Sequence, residues 1–368
     1  MILKATYQPH NLRFRFAAGT SRGVMHTHQV YYLKVSELSR PEVVGWGEAA
    51  PLPGLSLDAQ PDFEAKIAQL CTRLEGQKGP ETTEEVFEFA AQYVPPSLPA
   101  LRFALETALL DALQGGQKQL FSNAFSEGKQ SLPINGLVWM GKPEFMQAQI
   151  EEKLAAGFHC LKLKIGAMDF EQELRLLAQI RQDFGPEQIT LRVDANGAFA
   201  PSEALAQLQR LSEYALHSIE QPIAPGQWEA LAQLCAVSPI PIALDEELIG
   251  LVAREEKSRL LRVINPAFII TKPTLLGGIR ATQEWITEAE TLGIGWWMTS
   301  ALESNIGLNA IAQFTAQYSV SLPQGLGTGN LYHNNIASPL TLKGENLWYN
   351  LDGKWAGGSV HGKLLTEN

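Results

Sequence analysis

Cysteine is scarce in this chain: Cys71, Cys160 and Cys235 are the only three among 368 residues, and no two share a C-x-x-C spacing. An odd number of widely separated thiols excludes a disulfide framework and a cysteine-ligated zinc site, and it suits a reducing compartment. All three read as core residues. Long apolar runs are missing as well, none approaching the ~18 uninterrupted residues that a membrane span requires. The opening stretch "MILKATYQPHNLRFRF" also lacks the basic start and apolar run of an export signal. Positive charge is in deficit, with 29 Lys and Arg against 39 Asp and Glu and a formal charge of −10. Phosphate binding draws its affinity from clustered cations, so no nucleic-acid partner is expected. These absences predict a soluble, cytoplasmic protein acting on a small molecule, with no membrane partner; they do not fix an oligomeric state.

What is present is enough apolar residue, 45%, for a large core. Residues 1 to 50 alternate short β-rich runs with Gly, Ser and Pro, which predicts an antiparallel meander. Apolar residues at three and four spacing then predict helices over 58 to 116. A polar, Gly-rich link follows. Beyond residue 130, β-branched runs alternate with Ala/Leu/Gln-rich helical stretches, the pattern of parallel βα units.

Eight strand candidates follow: "PINGLVW", "CLKLKIG", "ITLRVDA", "HSIEQP", "IPIALDE", "AFIITKP", "IGWWMTS" and "PQGLGTG". From the second on, their polar ends at Lys164, Asp194, Glu220, Asp245, Lys272, Ser300 and Gly327 are separated by 30, 26, 25, 27, 28 and 27 residues. A repeat of that length predicts a barrel rather than an open sheet. The fold expected is α/β: a (β/α)₇β TIM-like barrel over 126–330, an α+β capping domain over 1–125, and a turn-rich β segment over 331–368 returning to the cap.

Strands covered on both faces read as continuous apolar runs, so charges within them need a reason. Asp194, Glu220 and Asp245 end three consecutive strands and should converge. Three carboxylates in a low-dielectric pocket repel unless a hard divalent cation neutralises them, and Mg²⁺ fits best, with Mn²⁺ suited to the same oxygens. Taken singly, each acid could instead cap the helix that follows. Lys162 and Lys164 share one strand face, opposite Leu161, Leu163 and Ile165, so they must look into the barrel. Two neighbouring ammonium groups disfavour each other's charge, which moves a lysine toward the neutral form that a base needs. Lys272 ends the sixth strand, across the ring, where it either completes a proton-transfer site around a carboxylate ligand or forms a structural ion pair with Asp245.

"TSALESNIG" offers Ser300, Glu303 and Ser304 near a helix start, a place for a second substrate carboxylate or an ordinary cap. The small-residue loop 17 to 26, with Arg22 and Met25, is expected to close over a ligand. His26 and His28 read as a surface strand, Trp139, Trp296 and Trp297 as barrel packing.

The segments "GWGEAAPLPGLS", "ALETALLDAL", "LKLKIG", "LRVDANGAF", "SIEQPI", "IALDEEL", "IITKPTLLGG" and "TSALESNIGL" together resemble the muconate-lactonising subgroup of the enolase superfamily over nearly the whole chain. The resemblance implies a cap built from both termini over a (β/α)₇β barrel, metal ligands Asp194, Glu220 and Asp245, a K-x-K pair at Lys162 and Lys164, and Lys272 on the far side. Lys164 would take the proton α to a carboxylate, and Lys272 would stabilise the resulting charge. Within the subgroup the segments are most similar to the branch that dehydrates 2-succinyl-6-hydroxy-2,4-cyclohexadiene-1-carboxylate to o-succinylbenzoate in menaquinone biosynthesis. Related members racemise N-acylamino acids or epimerise dipeptides with the same lysines. The dipeptide epimerases resemble one another in an Asp-x-Asp near the eighth strand, where this chain has "GLGTGN".

Overall fold

The computed structural model describes residues 2–20, 23–166 and 169–355. Three strands, β1 (Leu3–Thr20), β2 (Gly23–Glu37) and β3 (Arg40–Ala49), form an antiparallel sheet in that order. Helices α1 (Phe63–Leu74), α2 (Thr83–Tyr93) and α3 (Pro99–Leu113) follow, with α3 packed closely on β3. That approach explains the glycines of "GWGE": a Cβ at Gly47 would stand 1.9 Å from the Ala104 carbonyl oxygen, and one at Gly45 2.0 Å from that of Ala108. Any side chain there would push the helix off the sheet.

After a two-residue strand, β4 (Leu132–Pro133), the chain alternates: β5 (Gly136–Val138), α4 (Pro143–Ala155), β6 (Cys160–Lys164), α5 (Phe170–Asp183), β7 (Thr190–Asp194) and α6 (Pro201–Ser212). It continues with β8 (Ser218–Glu220), α7 (Trp228–Val237), β9 (Ile242–Leu244), α8 (Arg254–Ile264), β10 (Phe268–Thr271), α9 (Pro273–Leu276), α10 (Gly278–Thr291), β11 (Gly295–Met298) and α11 (Asn305–Thr315). Strands β5 to β11 lie parallel and in sequence order. The eighth position is reduced to two residues: Gln324 bridges Ile134 beside the first strand, and Gly325 bridges Thr299 beside the seventh, which closes the ring. Three glycines within 325 to 329 give a ladder little side chain to pack, and a short 3₁₀ turn at Gly327–Asn330 takes its place.

The period of two sorts the barrel residues. Leu161, Leu163, Leu191, Val193, Ile219, Leu244 and Ile269 are buried in the main apolar core. A separate small cluster of Ala243, Ile270 and Trp297, with Phe268 and Leu322 against it, fills the barrel's interior below the polar strand ends. Arg192 joins it, its guanidinium 4.1 Å from the Trp297 ring centroid and 2.8 Å from the Pro323 carbonyl oxygen. Trp296 faces outward onto Tyr318, and Trp139 joins an apolar cluster between cap and barrel.

The segment 17 to 26 is not a loose loop. Its residues on either side of 21 and 22 belong to β1 and β2, paired from Ala18↔Met25 to Thr20↔Gly23, and Gly19 bridges Met140 of the barrel. Register in this hairpin breaks between Arg13 and Ala18, where β1 turns to a new partner: Arg15 N donates to Leu331 O at 2.9 Å, and His333 N to Arg13 O at 2.9 Å. Residues 331 to 336 thus run along the cap, while the terminal hairpin β12 (Leu340–Lys343) and β13 (Asn346–Tyr349) pairs with β4. Among the described residues no helix is long and apolar enough to cross a membrane.

Candidate active site

Parallel register places the polar residues side by side at one end of the barrel: Lys164 pairs with Asp194, and Asp194 with Glu220. Asp194, Glu220 and Asp245 are each no more than 2% exposed. Lys162 Nζ lies 3.0 Å from Asp194 Oδ2 and in closer contact with Glu220 Oε2. Lys164 Nζ donates to Asp194 Oδ2 and to Asn196 Oδ1, both at 2.9 Å. From the other side, Lys272 Nζ contacts Asp245 Oδ2 and stands 3.8 Å from Glu220 Oε1. The structure therefore brings all six residues into one network, with Glu220 between the two lysine-bearing sides.

Electrostatics run opposite to the expectation from the lysine pair alone. Burial favours a neutral Lys162, but Asp194, Glu220 and Asp245 outweigh it and hold its pKa above the ordinary lysine range. Lys272 is likewise raised: burial opposes its charge, but Asp245 and Glu220 outweigh it. Burial disfavours ionised Asp194 too, yet Lys162, Lys164 and Lys272 keep its carboxyl well below the usual range. Glu220 is pushed up by burial and then by Asp194. A neighbouring ammonium disfavours the charge on Lys162, but the carboxylates that the fold sets against it prevail.

The donor set fits a hard divalent cation. It comprises three carboxylates from consecutive strand ends, and Glu220 Oε1 is buried without a hydrogen bond, with Lys272 Nζ 3.8 Å away. Lysine ammonium groups lie against these carboxylates, and among the described residues no group of three or more His, Cys, Asp or Glu side chains is placed, as it stands, to hold a metal ion.

A cavity of about 520 Å³ opens over this end, bordered by Lys162, Lys164, Asp194, Asn196, Lys272 and Ser300 among others. Ser300 shares a 2.7 Å hydrogen bond with Thr328 Oγ1 of the eighth-strand turn. The other predicted contacts lie elsewhere. Glu303 is fully buried, accepting from Thr274 Oγ1 and, at 2.8 Å, from Ala301 N. Ser304 caps α11 and donates through Oγ to Glu48 at 2.5 Å. Neither borders the cavity. Met25 packs into the apolar cluster with Trp139, and Arg22 lies outside the described residues.

Three features escaped sequence reasoning. Asn196, in the left-handed region at φ 44°, joins Lys164 to Glu246 through a 3.0 Å bond from its Nδ2; "DANG" carried the signal, since Asn tolerates that conformation. Glu48 of the cap accepts from Ser304 N at 2.7 Å and Gly307 N at 2.8 Å, and Glu106 from Ile279 N at 2.5 Å. Two cap carboxylates thus hold the starts of α11 and α10, the helices behind Ser300 and Lys272. His28 is buried rather than on a surface strand, its ring 3.1 Å from Leu302 O and 3.4 Å from Pro51 O.

Residues 145–347 match the family described as enolase C-terminal domain-like. The chain is 47% identical over 363 residues to an o-succinylbenzoate synthase of Desulfotalea psychrophila, covering 93% of this chain and 98% of that protein. A crystal structure of MenC from Desulfotalea psychrophila superposes with a TM-score of 0.86 at 43% identity, covering 95% of this chain and all of the other. The fold is also that of a dipeptide epimerase from Enterococcus faecalis V583, complexed with Mg and L-Leu-L-Tyr, with a TM-score of 0.83 at 21% identity over 95% and 98% of the two chains. A (β/α)₇β barrel under an antiparallel cap is the fold these comparisons support, and the chain belongs to the enolase superfamily.

Proposed function

We propose that this chain is an o-succinylbenzoate synthase, a carbon–oxygen lyase of menaquinone biosynthesis working in the cytoplasm. Its small-molecule substrate is 2-succinyl-6-hydroxy-2,4-cyclohexadiene-1-carboxylate. The observation that carries the reading is the placement of Lys164 and Lys272 on opposite sides of one carboxylate cluster that borders a cavity. Likeness over nearly the full length to a named synthase supports it.

Asp194, Glu220 and Asp245 would hold Mg²⁺, or Mn²⁺ in its place. Bound there, the cation supplies positive charge that acidifies the carbon beside the substrate's ring carboxylate. Lys164 takes the proton from that carbon. The electron pair left behind forms the new double bond as the C6–O bond breaks, and Lys164, now protonated, gives its proton to the departing hydroxyl. Water leaves and the ring becomes aromatic. One face suffices, so Lys272 acts as a cation facing the negative charge that develops on the carboxylate oxygens. Lys162, buried between Asp194 and Glu220, sets the charge around the base.

The same lysines would serve a racemase of N-acylamino acids or a dipeptide epimerase, using both faces. Against the dipeptide epimerase stands the eighth-strand turn, which brings Gly325, Gly327, Thr328 and Asn330 to the cavity and no carboxylate for a substrate ammonium group. Incubation with the cyclohexadiene and Mg²⁺, followed by the appearance of the aromatic product, tests the reading. Rapid α-deuteration of an N-succinylamino acid in D₂O, with no dehydration of the cyclohexadiene, would falsify it.

A further inference from the structure

The proposed substrate carries two carboxylates, one on the ring and one at the end of the succinyl chain, and the metal site accounts only for the first. The second is an anion entering a largely apolar pocket, which needs a fixed cation or donors to replace its hydration. Ser300 is a poor candidate, since its hydroxyl is engaged with Thr328 and accepts from Leu302 N at 3.3 Å.

The cap supplies another cation. Where β1 breaks register between Arg13 and Ala18, its backbone leaves β2 and bonds to 331–333 instead. Arg15 and Phe16 consequently border the cavity that also contains Lys164, Asp194 and Lys272. Phe16 lies against Trp139 and Phe145, with ring centroids 5.7 and 6.1 Å away. Arg15 Nε donates to Tyr332 O at 3.2 Å, and among the described residues this is the side chain's only hydrogen bond. Nε of this exposed side chain is thereby anchored, and its two terminal nitrogens make no hydrogen bond among the described residues, which leaves them able to form a bidentate contact. Among the described residues that border the cavity, the cations besides Arg15 and the three strand-end lysines reduce to Lys153, which is paired with Glu152 at 2.9 Å.

We infer that Arg15 is a specificity-determining residue that receives the succinyl carboxylate. This rests on the functional reading above. Arg15 would orient the substrate from the cap while the barrel carries out the elimination, and a planar fork held at one edge suits a carboxylate better than a lysine would.

Binding of two acids to the Mg²⁺-loaded protein, followed by calorimetry, tests it. One is o-succinylbenzoate; the other is 2-butanoylbenzoate, which keeps the ring carboxylate and ketone but has a methyl group in place of the terminal carboxylate. Arg15→Met should weaken the first by about 10- to 100-fold, as loss of a charged hydrogen-bonded contact does, and change the second less than twofold. Arg15→Lys should restore part of the difference. Equal weakening of both acids, or no change in either, would overturn the assignment while leaving the lyase reading intact. If the wild-type protein binds neither acid and does not turn over the cyclohexadiene, the functional reading fails and this inference with it.

Discussion

Lys164 and Asn196 are joined by a 2.9 Å hydrogen bond from the ammonium to the amide oxygen, and the amide nitrogen continues to Glu246. This arrangement fixes the direction from which the Lys164 ammonium, the proposed base, approaches the cavity. Asn196→Ala should lower kcat by about tenfold, the scale of one lost orienting bond, with a smaller effect on KM. An unchanged kcat in steady-state assays would remove Asn196 from the mechanism.

Removing the proposed base itself should cost more. Lys164→Ala is expected to lower turnover by at least about 10² to 10⁴, the contribution of a positioned general base, with an unaltered circular dichroism spectrum. A protein that merely binds a carboxylate ligand would show no such loss of product formation.

The carboxylate cluster makes a metal prediction. Protein treated with EDTA should be inactive and regain activity with Mg²⁺ or Mn²⁺. Added Mg²⁺ at about 100 times its dissociation constant should stabilise the fold by about 2.7 kcal/mol. Full activity in the treated protein, with no change in Tm on adding Mg²⁺, would contradict the assignment of Asp194, Glu220 and Asp245.

The cap's hold on the barrel is sensitive to a single methyl group. Gly278 sits at φ 98°, and a Cβ there would be 2.3 Å from Glu106 Oε2, in a fully buried contact. Gly278→Ala should destabilise the protein by about 2 to 4 kcal/mol through backbone strain and overlap together. Chemical denaturation measures this.

Burial pushes the Glu48 carboxyl up to about 7, against the donors from Ser304 and Gly307. A folded pKa above the unfolded value means that the group's contribution is fully present below about pH 4.5 and is lost as pH rises through 7. At about 1.4 kcal/mol per unit, Glu48 removes on the order of 3 kcal/mol across that window. Stability should therefore decline less between pH 5 and 8 in Glu48→Gln than in the wild type, whatever the absolute stability of the variant. Parallel profiles would show that Glu48 keeps its charge throughout.

Much of the architecture lay in one dimension. Apolar and charged residues alternating along a five-residue strand leave only one face for Lys162 and Lys164, and the spacing of the polar strand ends marks successive βα units, because both follow from local periodicity. The three acids and Lys272 were legible for the same reason: a charge at the end of a buried strand has few places to go. Tertiary structure decided what local pattern does not encode. It set three carboxylates against Lys162, which reversed the expected direction of its pKa shift. It also turned Ser304 and Glu303 away from the cavity and into contacts with Glu48 and Thr274, residues 256 and 29 positions away. Arg15 reached the cavity only because β1 exchanges partners with a segment more than 300 residues distant, a pairing that no short-range spacing announces. Strand periodicity determines which way a side chain faces; which groups meet it there depends on long-range packing.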